Sequence, residues 1–251
     1  MPFPSITVAT TGRRTALQCL QAAMGEIGMP RPSTIEGGSD ETAIQLLYLF
    51  NALGENLCRF PFFEELTATY TVTTTTATEY ALPADWGTPV ANTNWDRSGR
   101  WPLLGPKSAS EWQMLQSSGF GAAAPRFRFR YFGGYFNIYP APTAGLSLTQ
   151  EYLSTFWVMG LGASSATADT AKRRVTLDTD YAILDERMMI EGTKLAFLEA
   201  KGLDSSIQMR KWEGLMEAAW ANSKGSSTLS LAPLAEIFLL SNNNIPDAGF
   251  G

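Results

Sequence analysis

The densest helical pattern in the chain lies at residues 39–60, SDETAIQLLYLFNALGENLCRF. Ile44, Leu46, Leu47, Leu49, Phe50, Leu53 and Leu57 leave no wide polar face, which predicts a helix buried on nearly all sides. Ser39 is placed to accept an orphan backbone N–H as N-cap, and Asp40 and Glu41 complement the positive end of the helix dipole. At about 1.5 Å per residue the helix runs roughly 30 Å and stops before Pro61. Asn51, Glu55 and Asn56 interrupt it too often for a membrane span.

Ahead of it, after an extended start, Leu17, Leu20, Met24 and Ile27 recur at one-face helical spacing. Thr11 is the expected cap of that helix, and Gly28 and Pro30 end it. The linker MPRPSTIEGG has the length that pairs two helices antiparallel.

Beyond Pro61 the period changes to two. Ala68, Tyr70 and Val72 alternate with Thr67, Thr69, Thr71 and Thr73, a half-exposed strand, and a short second strand follows at 79–82. Residues 83–125 show no period and carry Trp86, Trp95, Trp101 and Trp112; within them SASEWQMLQSS predicts a short capped helix. RFRFRYF and YFNIYP flank Gly133-Gly134, a two-residue hairpin turn. Its first strand points Phe127, Phe129 and Tyr131 one way and Arg126, Arg128 and Arg130 the other. LSLTQEYLSTFWV supplies a further strand, and GLGASSATADTAKRR predicts a mobile loop.

Helical spacing returns at Asp178 with Leu184, Met188, Leu195 and Leu198, widened by Ile190 and Phe197, until Lys201-Gly202. A last helix carries Trp212, Leu215, Met216, Ala219 and Trp220 and ends at Lys224-Gly225. The expected fold class is therefore α+β. An antiparallel bundle of two N-terminal and two C-terminal helices (1–62 and 178–225) carries an inserted antiparallel β domain with long loops (63–177). An extended C-terminal tail (226–251) follows.

Composition narrows the chemistry. Of 251 residues, 45% are hydrophobic and only 17% charged, as in a globular chain, and the net charge of −5 disfavours a surface built to grip nucleic acid. Such a charge still allows a wall that DNA slides past. Histidine is absent, which removes the commonest general base and metal ligand. Cys19 and Cys58 fall in apolar helical stretches, favouring buried free thiols over a disulfide. The start lacks a leader-like charged and apolar run, and no apolar stretch reaches 18 residues.

No P-loop, GxGxxG, CxxC or GxSxG motif occurs, and no pattern asks for a cofactor. Glu64-Glu65 and Asp185-Glu186 are carboxylate pairs, but neighbours in sequence do not face each other across a cleft, so solvated charge is the favoured reading. The Arg126/Arg128/Arg130 stripe fits a wet sheet face, a contact with acidic residues of another subunit or partner, or a weak nucleic-acid site. Lys172-Arg173-Arg174 fits a solvated loop base. The tryptophans fit anchors pinning a long loop to the core, or a carbohydrate-stacking surface. Leu229, Leu231, Leu234, Ile237, Phe238, Leu239 and Leu240 form an apolar tail segment broken by Pro233. Burying these side chains roughly offsets the entropy of ordering their backbone, so the contact gains most where a preformed groove is repeated around a ring. Folding back on its own bundle is the alternative.

Several stretches in order resemble one family. They are LLYLFNALGENLCRFPFFEEL, EYALPADW at the end of a threonine-rich strand, KSASEWQML, YFNIYPAPTAGLSLTQEYLSTFWV and DERMMIEGTKLAFLEAKGLD. Together, over roughly residues 11–225, they resemble the head-to-tail adaptor proteins of short-tailed phages, the tail tubular protein A group. The resemblance implies a helical bundle with a β domain, assembled as a ring (usually of twelve copies) that joins the portal protein to the tail nozzle protein around the DNA exit channel. DNA would pass without specific binding during ejection, tail fibres would be a further partner, and the protein would be a virion component assembled in the host cytoplasm. It would bind and seal, with no catalytic residues, metal or cofactor. On that reading the tail residues Leu229, Leu231, Leu234, Ile237, Phe238, Leu239 and Leu240, with Phe250, dock on the portal. Arg126, Arg128, Arg130, Trp95 and Trp101 face neighbouring subunits or the nozzle. The rival classes are a peptidoglycan hydrolase using Glu64, Glu65, Asp185 or Glu186, and a monomeric carbohydrate-binding module.

Overall fold

The computed structural model describes residues 13–38, 40–60, 63–118, 126–160 and 171–223. The first helix, α1 (Ala16–Ile27), starts at a capping box in which Thr15 and Gln18 each accept the other's backbone N–H. The start is later than expected because Arg13 donates to the Ala182 and Ile183 carbonyls and the Arg14 N–H donates to Glu186, tying this segment down before the helix begins. Thr11, the expected cap, lies outside the described residues.

Helix α2 (Glu41–Leu57) is capped by Asp40, whose carboxylate accepts the Thr42 N–H at 3.0 Å; Ser39, the expected cap, lies outside the described residues. The expectation of burial on nearly all sides is corrected. Leu46, Phe50, Gly54 and Leu57 are buried, but Tyr48 is 70% exposed and Ile44, on the same stripe, 38%. The pattern shows where apolar residues lie, not how many neighbours arrive to cover them.

A 3-10 turn, Glu64–Leu66, leads into β1 (Thr67–Thr73), β2 (Glu79–Ala81), β3 (Trp86–Pro89), β4 (Trp95–Asp96), β5 (Trp101–Pro102) and α3 (Ala109–Ser118). Then come β6 (Arg128–Phe132), β7 (Tyr135–Tyr139), β8 (Ser147–Ser154), β9 (Val158–Met159), β10 (Ala171–Lys172), β11 (Tyr181–Ala182), α4 (Glu186–Ala200) and α5 (Ser206–Ser223). Strands β3, β4 and β5 fall in the stretch expected to be irregular; each is short, β3 and β4 find their partner β8 far along the chain, and β5 pairs with the adjacent β4.

All strand pairs are antiparallel. Strand β8 is central to the first sheet: β1 lies on one side over seven pairs, Thr67↔Leu153 to Thr73↔Ser147, and β3 and β4 lie on the other. The second sheet runs β2-β7-β6 and the third β10-β9-β11. The hairpin turn between β6 and β7 holds Gly133 and Gly134 at φ 63° and 79°, the left-handed pair that a two-residue turn needs.

Two cores follow. One gathers Ala68, Tyr70, Val72, Phe129, Phe136, Ile138, Leu148 and Tyr152 between the first two sheets. Its margin holds a buried carboxylate, Asp85, which accepts from the Tyr152 hydroxyl at 2.9 and 3.0 Å and from Ser154 at 2.8 Å. Burial, and then the Asp85 charge, push the Tyr152 phenol well above its ordinary range.

The other core is helical. It takes Leu20, Met24, Leu46, Phe50, Met188 and Met189 from the helices, and also Phe63, Leu66, Leu153, Trp157 and Val175 from the span between them. Helix α4 is its hub, packing on α1, α2 and α5. It begins at its cap Asp185 rather than at Asp178, because the intervening residues are engaged elsewhere. Asp178 accepts from Thr34, Ile35 and Glu36; Asp180, fully buried, accepts from the Thr176 and Leu177 N–H groups and pairs with Lys172 at 2.9 Å. Helix α5 has a single half-buried stripe through Trp212, Met216 and Ala219, and leaves Ile207, Met209 and Trp220 exposed.

Candidate interaction surfaces

The hairpin β6–β7 separates its faces as alternation requires. Phe129, Phe136 and Ile138 are buried in the core, while Arg128, Arg130 and Phe132 pair in register with Tyr139, Asn137 and Tyr135 on the outer face. That face is not bare. Trp112 of α3 lies across it, its ring 6.5 Å from Phe132 and 6.5 Å from Tyr139, and beneath it Asn137 is buried and donates to the Phe132 and Tyr135 carbonyls. Helix α3 is held by a reciprocal cap in which Ser108 and Glu111 each accept the other's N–H.

The arginines stack on rings. Arg126 lies 5.0 Å over the Trp101 ring and Arg130 5.0 Å over the Phe132 ring, so each cation faces a π-surface instead of a carboxylate. Arg128 is half-buried. At the hairpin end Phe132 (43%), Tyr135 (45%) and Met114 of α3 (66%) are exposed, which makes this corner both basic and apolar.

The structure thus joins Trp101 to the arginine stripe. Trp95 pairs with Pro102 across β4–β5 but lines a separate cavity of about 310 Å³ with Pro89, Val90, Leu103 and Tyr131. Trp86 stacks on Tyr152 at 4.6 Å, an anchoring role. The tail residues Leu229, Leu231, Leu234, Ile237, Phe238, Leu239, Leu240 and Phe250 lie outside the described residues. Of the expected mobile loop, 160–174, residues 161–170 lie outside them as well, and its end is corrected: Ala171–Lys172 form strand β10, paired with β9.

The carboxylates named as catalytic alternatives have structural partners. Glu65 accepts from Ser223 at 2.9 Å, Asp185 caps α4 and Glu186 accepts the Arg14 N–H, whereas at Glu64 the bonded group is the backbone N–H, which donates to Ser223. Arg173 and Arg174, expected as loop-base charge, both reach Glu55 of α2. Cys19 and Cys58 are free and buried, and burial pushes both thiols up to about 12.

A second exposed apolar stripe, Ile44 and Tyr48 of α2, was missed by sequence reasoning. Its signal is present, an aromatic four residues after an isoleucine on one helix face, but the apolar pattern on every side of the helix predicts that face covered. Among the described residues no group of three or more His, Cys, Asp or Glu side chains could hold a metal, and no helix is long and apolar enough to cross a membrane.

These features define an α+β protein whose surface exposes aromatic, aliphatic and arginine side chains. The model of one family, SU10 adaptor protein, matches residues 14–232, and the chain belongs to that family of phage head-to-tail adaptors. A structural adaptor role and a place in the virion follow from that membership. No curated protein matches the chain.

Proposed function

We propose that this protein is an adaptor of the tail tubular protein A kind. Copies close into a ring, twelve in the arrangement the resemblance implies, between the portal and the tail nozzle and around the DNA exit channel. The family match over residues 14–232 carries this reading. Exposed Tyr48 and Ile44 on α2 and Phe132, Tyr135 and Met114 at the hairpin corner support it, because large shared interfaces have charge-poor, aromatic-rich cores.

In this reading 1–62 and 178–225 form the bundle, 63–177 the β insertion and 226–251 the portal-docking tail. The arginine face with Trp95 and Trp101 meets a neighbour or the nozzle. The low charge of the chain keeps the channel wall from holding DNA phosphates. Assembly takes place in the host cytoplasm, and tail fibres attach to the finished ring.

Electron microscopy of the protein mixed with its portal tests this. Rings seated on the portal are expected for the full chain, and their loss is expected on truncation after Gly225. A full chain that never engages the portal overturns the function, and a truncated chain that engages it equally well overturns the role of the tail.

A further inference from the structure

The free edge of β1 differs from every other sheet edge among the described residues. Strands β5, β10 and β11 are two residues long, β2 is three residues with Glu79 at its start, and β3 is bulged and ends in Pro89. The outer edge of β6 is already covered: Leu104 and Lys107 donate to the Phe127 and Phe129 carbonyls at 2.9 Å, and the Phe129 N–H donates to Leu104. These are the ordinary ways in which a sheet edge is blunted against strand addition. Strand β1, TATYTVT, has none of them; it is seven residues long, uncharged, free of proline and unbroken in register.

Its backbone direction follows from the neighbouring bonds. The Thr74 N–H donates to Leu146 at 2.8 Å, so Ala68, Tyr70 and Val72 turn their backbone groups to β8. On the far side of β8 Ser147 and Glu151 accept from Arg97 and Val90, which fits the same alternation. The N–H and C=O groups of Thr69, Thr71 and Thr73 therefore point away from the sheet. Among the described residues no hydrogen bond engages them.

The chain also holds a segment suited to that edge. Residues 5–11, SITVATT, are β-branched at five of seven positions and bounded by Pro4 and Gly12, a strand signal of the same length as β1. In a strand, alternation would put Ile6 and Val8 on one face, to continue Tyr70 and Val72, and Thr7 and Thr11 on the other, to continue the threonine row. Arg13 is anchored on the Ala182 and Ile183 carbonyls, and the residues before it would, if extended, reach up to roughly 40 Å from that point. An arm and an edge are different surfaces, so the contact can run head-to-tail from copy to copy, the kind that closes a ring.

We propose that residues 5–11 of one copy add as a strand to the free edge of β1 in the neighbouring copy. The proposal rests on the ring reading above. Amide hydrogen exchange tests it on the assembled full chain, on a chain lacking residues 2–11, and on the double change Val8→Pro with Ala9→Pro, which alters the arm alone and removes an N–H facing β1 whichever way the strand runs. A synthetic peptide of residues 4–12 is then added to the shortened chain. The Thr69, Thr71 and Thr73 amides are expected to exchange about tenfold or more slower in the assembled full chain than in the other two. The peptide is expected to restore that protection.

Equal protection in the full and shortened chains overturns the proposal, and covers β1–β1 pairing of two copies. Protection that persists at dilutions where the full chain is monomeric overturns it in favour of the chain's own arm. Full-length rings on the portal whose β1 amides exchange as fast as those of the shortened chain sink the arm and leave the ring. A chain that makes no ring, yet whose full form is protected only at concentrations where copies associate and whose shortened form is protected by the peptide, sinks the ring and sustains strand addition between copies.

Discussion

The indole of Trp157 lies directly on Gly54, the one position in the middle of α2 where the helix backbone presents no side chain. A methyl group there would fall inside the van der Waals shell of the ring. Phe50, one turn earlier, flanks the same indole at 5.6 Å. A second glycine repeats the device on α4, where a Cβ at Gly192 would come within 2.6 Å of Leu53 and of Trp212. The segment after β8, α2, α4 and α5 thus approach one another through two missing side chains.

Gly54→Ala is therefore expected to destabilise the fold by about 1–3 kcal/mol, since a close-packed core answers added volume with displaced rotamers and backbone. Gly214→Ala is the control. It sits on α5 with nothing within 4 Å of the added methyl, and should stabilise by about 0.5–1 kcal/mol through helix propensity alone. Denaturant midpoints of the two variants, read against the parent, should move in opposite directions. A Gly54→Ala midpoint equal to the parent's would mean the indole is not wedged against the helix.

Asn51 binds the loop after β10 with a side chain used as if it were backbone. Its amide donates to the Val175 carbonyl at 3.3 Å and accepts the Val175 N–H at 2.8 Å, both in buried surroundings. Asn51→Leu keeps the volume and strands two buried backbone groups, each costing about 1–3 kcal/mol. Hydrogen exchange should show faster opening at Val175, while the β6–β7 hairpin amides stay as in the parent. Unchanged exchange at Val175 would show that water replaces the amide without cost.

Much of this fold was legible because its signals are local. The 3.6-residue spacing of Leu17, Leu20, Met24 and Ile27, the alternation of β1, and the Gly133-Gly134 turn each act within one element. What was not legible depends on distant partners. Strands β3 and β4 exist because β8, roughly fifty to seventy residues on, offers an edge, and α4 starts late because Asp178 is committed to residues 34–36. The arginine stripe was readable as one face of a strand. Its ring partner Trp101 comes from a stretch with no period, and the local signal of the Trp112 helix does not tell that its ring lies across the sheet face.

The α1–α4 contact carries a pH-dependent term. Glu26 accepts from Arg187 at 2.5 and 3.2 Å and from Lys194 at 2.5 Å, while Glu191 closes the circuit by pairing with both cations and accepting from Gln208. The Arg187 hydrogen bond, with Lys194, holds the Glu26 carboxyl down at about 2 against an ordinary 4.5. A depressed folded-state value means stability that is present above pH 4.5 and lost as pH falls toward 2. Solvent at the exposed edge of Glu26 keeps the contribution to about 1 kcal/mol or less. Glu26→Gln should cost that much at pH 7 and flatten the stability curve between pH 4.5 and 2. Parallel curves for variant and parent across that window would remove Glu26 from the account.

The arginine face offers the sharpest test of assembly against folding. Arg126 and Arg130 lie over rings that stay partly exposed, so each stack is worth only about 0.5–1 kcal/mol to a single copy. If the face meets an acidic or aromatic neighbour, the double change Arg126→Glu with Arg130→Glu reverses the sign of the surface where it must be desolvated. Sedimentation should then show lost assembly at low salt, with thermal unfolding of the single copy lowered by only a few degrees. Added salt should weaken parent assembly as well, narrowing the gap, because exposed charge pairs separated by more than about 8–10 Å are screened. A double variant that assembles like the parent at low salt would leave the face as an ordinary wetted sheet, and the neighbour's contact would have to be sought at Tyr48 and Ile44 of α2.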